Sequence, residues 1–157
     1  MQKSHKRFAI RPSKQSGPPQ LGVSDSGAYL LHLVLHSSID LRIGALGEFR
    51  LPAGYYLYVG SARRNLVARL ARHRKLAQTK QGKVHWHIDY LLTRPEISLN
   101  LAEPFTGAKE CPLSWALSKR HDISVPIAGF GASDCKAGCP AHLYRVRPAR
   151  AGFRLSK

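Results

Sequence analysis

Two tyrosines and one arginine are spaced in a way that suits chemistry on a phosphodiester. Tyr29 ends the string Gly-Ala-Tyr, Tyr58 begins the string Tyr-Val-Gly, and Arg69 follows in an Arg-Leu-x-x-His string. A tyrosine hydroxyl has an ordinary pKa of about 10, so it acts as a base only where a metal ion or an arginine stabilises its phenolate. An arginine presents a planar fork of donors that matches a phosphate. Taken singly, each tyrosine is better explained as a core residue with a hydroxyl tip, and it is the paired placement that favours chemistry.

Three histidines and an aspartate lie near these residues in the sequence. His73 comes one helical turn after Arg69, where it could orient a tyrosine, protonate a leaving group, or lie on a helix face without a chemical role. His85, His87 and Asp89 suggest a second metal or acid–base set. Residues two apart on a helix point about 200° apart, however, and make poor joint ligands. We interpret His85 as a surface residue and expect His87 to contact nucleic acid beside a tyrosine.

Three cysteines and one histidine in the C-terminal part of the chain form a candidate site for zinc. They are Cys111, Cys135, Cys139 and His142, and the last three form a Cys-x3-Cys-x2-His cluster. Such ligands surround structural zinc tetrahedrally, so we expect their ligand atoms to lie within about 4 Å of one another if the site exists. The alternative is three buried thiols and a packed histidine.

The tyrosines are predicted to lie on two strands and Arg69 on a helix. Residues 28–35 and 55–59 are rich in aromatic and branched side chains, which suit a pleated, half-buried surface. We expect Gly60 to end the second strand. Asn65 is the predicted N-cap of the amphipathic helix that carries Arg69.

The rest of the chain predicts an α+β fold with a central antiparallel or mixed sheet flanked by helices. The expected elements are a hairpin over residues 39–43 and 46–51, a helix over 84–93, a core strand over 96–105, a helix from 106, a glycine-rich loop over 125–138 and a closing strand over 142–146. Glu110 would lie near the start of the last helix. By its position alone, Glu110 is a first-turn carboxylate that interacts favourably with the helix dipole.

The strings Gly-Ala-Tyr and Tyr-Val-Gly, followed by Arg69 in its Arg-Leu-x-x-His string, resemble the signature of GIY-YIG nucleases. They are most similar to the group called Uri superfamily endonucleases. The strings Tyr-Val-Gly-Ser-Ala at 58–62 and Trp-His-Ile-Asp-Tyr-Leu-Leu at 86–92 carry the closer resemblance, which extends over about residues 27–146. Each three-letter motif has little specificity, but the order of the motifs, followed by Arg69 and Glu110, has considerably more.

The resemblance implies a metal-dependent endonuclease, a hydrolase of phosphodiester bonds in DNA that is branched, damaged or single-stranded. It implies that Tyr29 and Tyr58 position or deprotonate water, that Arg69 binds the phosphate, and that Glu110 holds Mg²⁺ or Mn²⁺. We group His73 with these catalytic residues. A single carboxylate with several waters is typical of Mg²⁺ beside a phosphate. The alternative is a non-catalytic nucleic-acid-binding module that retains the fold and its basic face.

The positive charge of the chain favours a polyanionic partner. Twenty-five Lys and Arg against nine Asp and Glu give a formal charge of +16, which promotes binding to nucleic acid through release of its counterions. A basic ribosome-associated protein, or one that is merely soluble, would carry a similar charge. The residues expected to contact nucleic acid are Gly60, Arg63, Arg64, Arg72, Lys75 and His87.

Length and composition predict one domain with two basic ends. A chain of 157 residues buries one ordinary core. We expect a disordered arm over 1–26, a GIY-YIG-like domain over 27–148 and a basic tail over 149–157. The absence of a long apolar run and the odd number of cysteines predict a soluble, cytoplasmic protein without a membrane partner. It would act on DNA or structured nucleic acid, alone or in a larger repair or processing assembly.

Overall fold

The computed structural model describes residues 25–148. The expected N-terminal arm lies outside the described residues except for its last two, and the expected C-terminal tail lies outside them entirely. Within the described range the chain has a mixed α+β fold with three α-helices and a five-stranded antiparallel sheet, which confirms the predicted fold class. None of the helices in this range has the length and apolar character of a membrane span.

The strands and helices follow one another in a simple order. They are β1 (Gly27–Leu35), β2 (Ile39–Ile43), β3 (Gly47–Leu51), β4 (Gly54–Ala62), α1 (Leu66–Thr79), α2 (His87–Leu92), β5 (Ile97–Thr106), α3 (Glu110–Ser118), β6 (Ile123–Ser124) and β7 (Leu143–Val146). The main sheet has the order β5-β1-β4-β7-β6, and every neighbouring pair is antiparallel. The predicted inserted hairpin is confirmed as the separate pair β2–β3.

The sheet separates two hydrophobic clusters. Successive residues of a strand point to opposite faces. Tyr29 and Tyr58 pack in the larger cluster with Leu70 of α1 and with residues of α2 and the hairpin. Val59, the neighbour of Tyr58, packs in the smaller cluster with Leu117 of α3. Helices α1 and α2 therefore cover the tyrosine face of the sheet, and α3 covers the other face.

Strand β4 continues beyond the glycine at which we expected it to end. Gly60 pairs with Tyr29 of β1, and the strand runs on to Ala62. A Cβ atom on Gly60 would lie only 2.3 Å from the Tyr29 ring. Gly60 is therefore required where a tyrosine ring lies across the neighbouring strand, and it is not a strand terminator.

Helix α1 begins as predicted, but a distant residue caps it. Asn65 occupies the N-cap position with a left-handed φ of 57°, and its side chain makes no capping hydrogen bond. Instead, the backbone N–H groups of Leu66 and Val67 donate to the backbone oxygen and Oδ1 of Asp25, at 3.1 and 3.0 Å. Asp25 belonged to the expected disordered arm, and that part of the prediction is wrong. No local pattern reveals a cap that comes from another part of the chain.

Strand β5 lies at the edge of the sheet and was wrongly expected in its core. It pairs only with β1, and Ile97 and Ala102 are its two buried residues. Pro104, which lacks a backbone donor, fits an edge position. Alternation of Ile and Leu along this segment predicts a strand but does not distinguish an edge from a centre, because that choice depends on which segments pair with it.

Helices α2 and α3 begin later than predicted. Helix α2 covers six residues from His87, where a helix over 84–93 was expected, and α3 begins at Glu110 instead of residue 106. Strand β5 extends to Thr106, and Gly107 then turns the chain with a left-handed φ of 75°. This turn places Glu110 at the first position of α3.

Candidate functional site

Tyr29 and Tyr58 are neighbours across the β1–β4 pair. Because Tyr29 lies opposite Gly60, Tyr58 occupies the diagonal position on the same face. The ring centroids are 6.4 Å apart, and the rings are inclined by 50°. The two residues are only 2% and 5% exposed. Burial raises the pKa of both phenols well above the ordinary value, so both are neutral at neutral pH.

His73 of α1 accepts a hydrogen bond from Tyr29. Its Nε2 lies 2.9 Å from the Tyr29 hydroxyl, and the ring is fully buried. Burial lowers the pKa of His73 to about 4, so the neutral imidazole carries a single N–H. Nδ1 lies 3.8 Å from an oxygen of Asp89, too far for a hydrogen bond. The nearby carboxylate still favours the proton on Nδ1, which leaves Nε2 as the acceptor.

The Asp89 carboxylate is buried and fully hydrogen-bonded. Arg72 donates to its two oxygens at 3.0 and 2.9 Å, and the backbone N–H groups of His85 and Trp86 donate to Oδ2 at 2.8 and 3.1 Å. Burial alone would raise the pKa of the Asp89 carboxyl, but these donors hold it below its ordinary value. Arg72, which we expected to contact nucleic acid, is thus engaged in joining α1 to the start of α2.

Arg69 extends from α1 to the end of β4 and lies over an indole ring. Its Nη1 donates to the backbone oxygen of Ser61 at 3.0 Å, and its Cζ lies 4.4 Å from the centre of the Trp86 ring. This position brings the guanidinium close enough to Tyr29 to oppose the rise of its pKa. An open groove of about 310 Å³ begins here and is lined by Ser61, Arg63, Arg64 and Arg69. We call Tyr29, Tyr58, Arg69, His73 and Asp89 the tyrosine centre.

Glu110 reaches the end of β4 from the other face of the sheet. Its Oε2 accepts a hydrogen bond from the Ser61 hydroxyl at 2.9 Å, and its Oε1 lies 3.1 Å from Nδ1 of His142. The carboxylate borders a surface cavity of about 590 Å³ that Ser61 also lines. Its negative charge adds to the rise in the pKa of Tyr29 and Tyr58, which places it within electrostatic range of both phenols.

The Glu110 carboxylate retains acceptor positions that a cation could use. A carboxylate offers about four lone-pair positions, so the contacts with Ser61 and His142 leave others free. The adjoining cavity is open to solvent and can admit the waters that Mg²⁺ retains. Glu110 is not a member of the one converging group of three or more Cys, His, Asp or Glu among residues 25–148, which consists of three cysteines and a histidine.

That group, the cysteine cluster, could hold a metal ion. It consists of Cys111, Cys135, Cys139 and His142, whose ligand atoms all lie within 4.8 Å of one another. The sulfurs of Cys111 and Cys135 are 3.6 Å apart. The widest separation exceeds the expected limit and must close by about 1 Å around a tetrahedral zinc. Backbone N–H groups of Cys139 and Ala137 lower the pKa of Cys135 to about 7, which favours its thiolate, whereas burial raises the pKa of Cys111 and Cys139.

The residues expected to contact nucleic acid differ in how freely they reach solvent. Three of them are exposed, namely Arg63, Arg64 and Lys75. His87 is part-buried: its Nδ1 accepts a hydrogen bond from the backbone N–H of Gly131 at 2.9 Å, and its ring packs against Phe130. His87 and Tyr58 both line a small cavity of about 190 Å³. His85 is exposed.

Three residues of the site have roles that the sequence analysis did not assign to them. Trp86 supports Arg69, Ser61 connects Arg69 with Glu110, and Asp89 closes the network behind His73. For Asp89 a signal existed, since an acidic residue three positions after a helix N-cap accepts hydrogen bonds from the backbone N–H groups at the helix start. For Ser61 and Trp86 no such signal exists, because their roles depend on side chains that arrive from other elements.

Comparison with known proteins identifies a family for this chain. The family model described as domain of unknown function DUF123 matches residues 28–154, which include all members of the tyrosine centre and the cysteine cluster. No curated protein and no solved structure matches the chain. The description of the family names no activity, and it is compatible with the resemblance to GIY-YIG nucleases. The chain belongs to the family described as domain of unknown function DUF123.

Proposed function

We propose that the protein is a metal-dependent endonuclease of the GIY-YIG type that hydrolyses phosphodiester bonds in DNA. The observation that carries the proposal is the convergence of five side chains at one end of the sheet, beside a groove lined by arginines. These side chains are Tyr29, Tyr58, Arg69, His73 and Glu110. A structural role explains any one of them, but not the assembly of all five next to a cationic surface.

The tyrosine centre supplies a path for a proton. Tyr29 donates its hydrogen to His73, so its oxygen keeps lone pairs that can accept a proton from an attacking water. As the water is deprotonated, Tyr29 passes its own proton to Nε2 of His73, and Asp89 stabilises the resulting imidazolium. Because burial lowers the pKa of His73 to about 4, the imidazolium returns the proton readily to Tyr29, whose hydroxyl can pass it to the departing oxygen.

Arg69, and a cation bound by Glu110, would neutralise the negative charge of the phosphate. Arg69 lines the groove, where guanidinium donors that are not bonded to Ser61 can bind a phosphate oxygen. Glu110 holds a divalent cation, with Ser61 orienting the carboxylate. When bound there, Mg²⁺ or Mn²⁺ would polarise the phosphate and lower the pKa of a bound water.

We infer that the cysteine cluster binds zinc. Three thiolates and one imidazole form a closed tetrahedral set, which is typical of a structural zinc site with no position open for a substrate. Protein purified without chelator should contain about one equivalent of zinc per chain. Metal analysis that finds no zinc would favour the alternative of buried thiols and a packed histidine.

A non-catalytic nucleic-acid-binding module is the second candidate function. The near-complete burial of Tyr29 and Tyr58 favours it, because a tyrosine base must contact its water. Such a module needs the charge of +16 and the groove lined by arginines, but it does not need the Glu110 carboxylate. Substitution of Glu110 therefore separates the two functions.

The experiment is a cleavage assay on duplex, branched and single-stranded DNA and on matched RNA, with Mg²⁺, with Mn²⁺ or with neither. We expect cleavage only with a divalent cation, and none with Glu110→Gln. Binding should persist in the variant, since loss of a negative charge cannot weaken attraction to phosphate. Omission of the cation is preferable to a chelator, which would also remove zinc. Equal cleavage by the variant and the native protein would contradict the proposal.

A further inference from the structure

The imidazole of His142 stands between the cysteine cluster and the Glu110 carboxylate. It is 2% exposed, and its Nδ1 lies 3.1 Å from Oε1 of Glu110. Neither ring nitrogen makes a well-formed hydrogen bond to any residue in the described range. A buried imidazole in that state is costly, because its polar atoms have left water without gaining a partner. A ligand bound to a nitrogen of this ring would offset that cost.

The backbone around His142 is firmly held, so the position of the ring is a property of the fold. The backbone N–H of His142 donates to Phe130 at 2.7 Å, and its backbone oxygen accepts from Val59 at 2.9 Å. The next residue, Leu143, pairs with Tyr58 across the β4–β7 ladder. His142 therefore lies directly before β7, the strand that pairs with the tyrosine strand β4.

The chemistry of imidazole assigns a role to each ring nitrogen. A neutral imidazole has one N–H and one lone pair, so a metal ion on one nitrogen requires the proton on the other. In metal sites this second nitrogen commonly donates to a carboxylate, which fixes the orientation of both groups. Because Nδ1 of His142 faces Glu110, Nε2 is the nitrogen available to the cysteine cluster.

We propose that His142 is a positioning residue: with zinc on Nε2, its Nδ1–H holds the Glu110 carboxylate at the end of β4. The inference rests on the proposed function, in which Glu110 binds a divalent cation. Zinc would position Glu110 through two ligands. His142 faces the carboxylate, and Cys111 follows Glu110 directly in the first turn of α3. The contacts continue from Glu110 to the Ser61 hydroxyl at 2.9 Å, and from the backbone oxygen of Ser61 to Arg69 at 3.0 Å.

If zinc only joins α3 to the glycine-rich loop, a different effect of substituting His142 is expected. In that case any four ligands that retain zinc would serve equally well, and the side chain facing Glu110 would be unimportant. In the proposed arrangement, the imidazole is needed in addition to the metal. The two possibilities therefore differ for a variant that keeps zinc but loses the imidazole.

The first test examines the native protein without an activity assay. Zinc is replaced by ¹¹³Cd, and the histidine rings are labelled with ¹⁵N. We expect coupling of cadmium to Nε2 of His142 and a protonated Nδ1. Coupling to Nδ1, coupling to no histidine, or the absence of bound metal would overturn the proposal.

The second test uses His142→Cys, which supplies a fourth thiolate in place of the imidazole. We expect about one equivalent of zinc to remain and the affinity for Mn²⁺, measured by electron paramagnetic resonance, to fall about 10- to 100-fold, as is typical when a partner of a metal ligand is lost. Pro140→Ala, an exposed substitution in the same loop, is the control and should leave Mn²⁺ affinity unchanged. A zinc-loaded His142→Cys protein with native Mn²⁺ affinity would show that the imidazole has no positioning role.

The two tests also separate this inference from the proposed function. If the native protein neither binds Mn²⁺ nor cleaves nucleic acid, the proposed function fails, and the cadmium spectrum still decides whether His142 bridges zinc and Glu110. If His142→Cys does not retain zinc, the same spectrum of the native protein decides the question. Cleavage by the native protein together with cadmium on Nδ1 would leave the proposed function intact and overturn the bridge.

Discussion

The tyrosine centre and the cysteine cluster lie at the two faces of β4 and are organised in different ways. In the tyrosine centre the protein supplies most of the partners: Asp89 accepts four hydrogen bonds, and the Tyr29 hydroxyl is bonded to His73. In the cysteine cluster, neither nitrogen of His142 makes a well-formed hydrogen bond to any of residues 25–148. The first site is thus organised by the chain itself, whereas in the second the proposed zinc would supply the partner that the imidazole lacks.

The strongest test of this contrast is Asp89→Ala. Loss of the carboxylate leaves Arg72 and two backbone N–H groups without their acceptor, so the free energy of unfolding should fall by about 3–5 kcal/mol. Zinc content should not change, because the cysteine cluster shares no contact with Asp89. Asp40→Ala is the control: it breaks the exposed Asp40–Arg50 pair and should cost less than about 1 kcal/mol. Chemical denaturation and metal analysis measure both effects, and loss of zinc from Asp89→Ala would show that the sites are coupled.

A second test uses the burial of His73. The pKa of His73 is about 4 in the folded protein and about 6.5 in an unfolded chain, so between these pH values the unfolded chain binds a proton that the native state does not. Stability should therefore fall as the pH is lowered from 6.5 to 4, by up to about 3 kcal/mol from this residue. His73→Gln should remove this part of the dependence, whereas the exposed substitution His36→Gln should retain it. Equal pH profiles for the native protein and His73→Gln would contradict the assignment.

A third test concerns Arg69, which connects the two regions through Ser61. If Arg69 neutralises charge that grows in the transition state, Arg69→Ala should lower the single-turnover rate by about 100-fold or more. Affinity should change little, since many cations share the electrostatic load. The exposed Lys75→Ala should show the opposite pattern, with a nearly normal rate and a salt slope reduced by about one. Equal loss of rate and affinity in Arg69→Ala would make Arg69 an ordinary phosphate contact.

The smallest expected effect on stability is that of Tyr29→Phe. The change keeps the buried ring but leaves Nε2 of His73 without its donor, so the free energy of unfolding should fall by about 1–2 kcal/mol. Tyr55→Phe, at a position that is 63% exposed, is the matched control and should be nearly neutral. If Tyr29→Phe is as stable as the native protein, the hydrogen bond to His73 contributes little to the organisation of the tyrosine centre.

Local patterns in the sequence predicted most of the elements and several neighbouring side chains. The strands that carry Tyr29 and Tyr58 and the helix that carries Arg69 and His73 follow from hydrophobic periodicity and turn residues, which act over a few positions. Their boundaries were less accurate. Strand β4 continues through Gly60 because this residue pairs with Tyr29 of β1, whose ring occupies the space that a side chain at position 60 would need. No local rule contains that information.

The sequence by itself determined which chemical groups are available and in what order they occur: two phenols, an arginine, a carboxylate, and four soft ligands. Tertiary structure decided how these groups are used. Arg72 is engaged by a buried aspartate, Asp25 caps a distant helix, and His142 turns one ring nitrogen toward Glu110. The physical reason is range: periodicity and capping depend on neighbours along the chain, whereas hydrogen-bond partners and burial depend on segments that meet only after the sheet has formed.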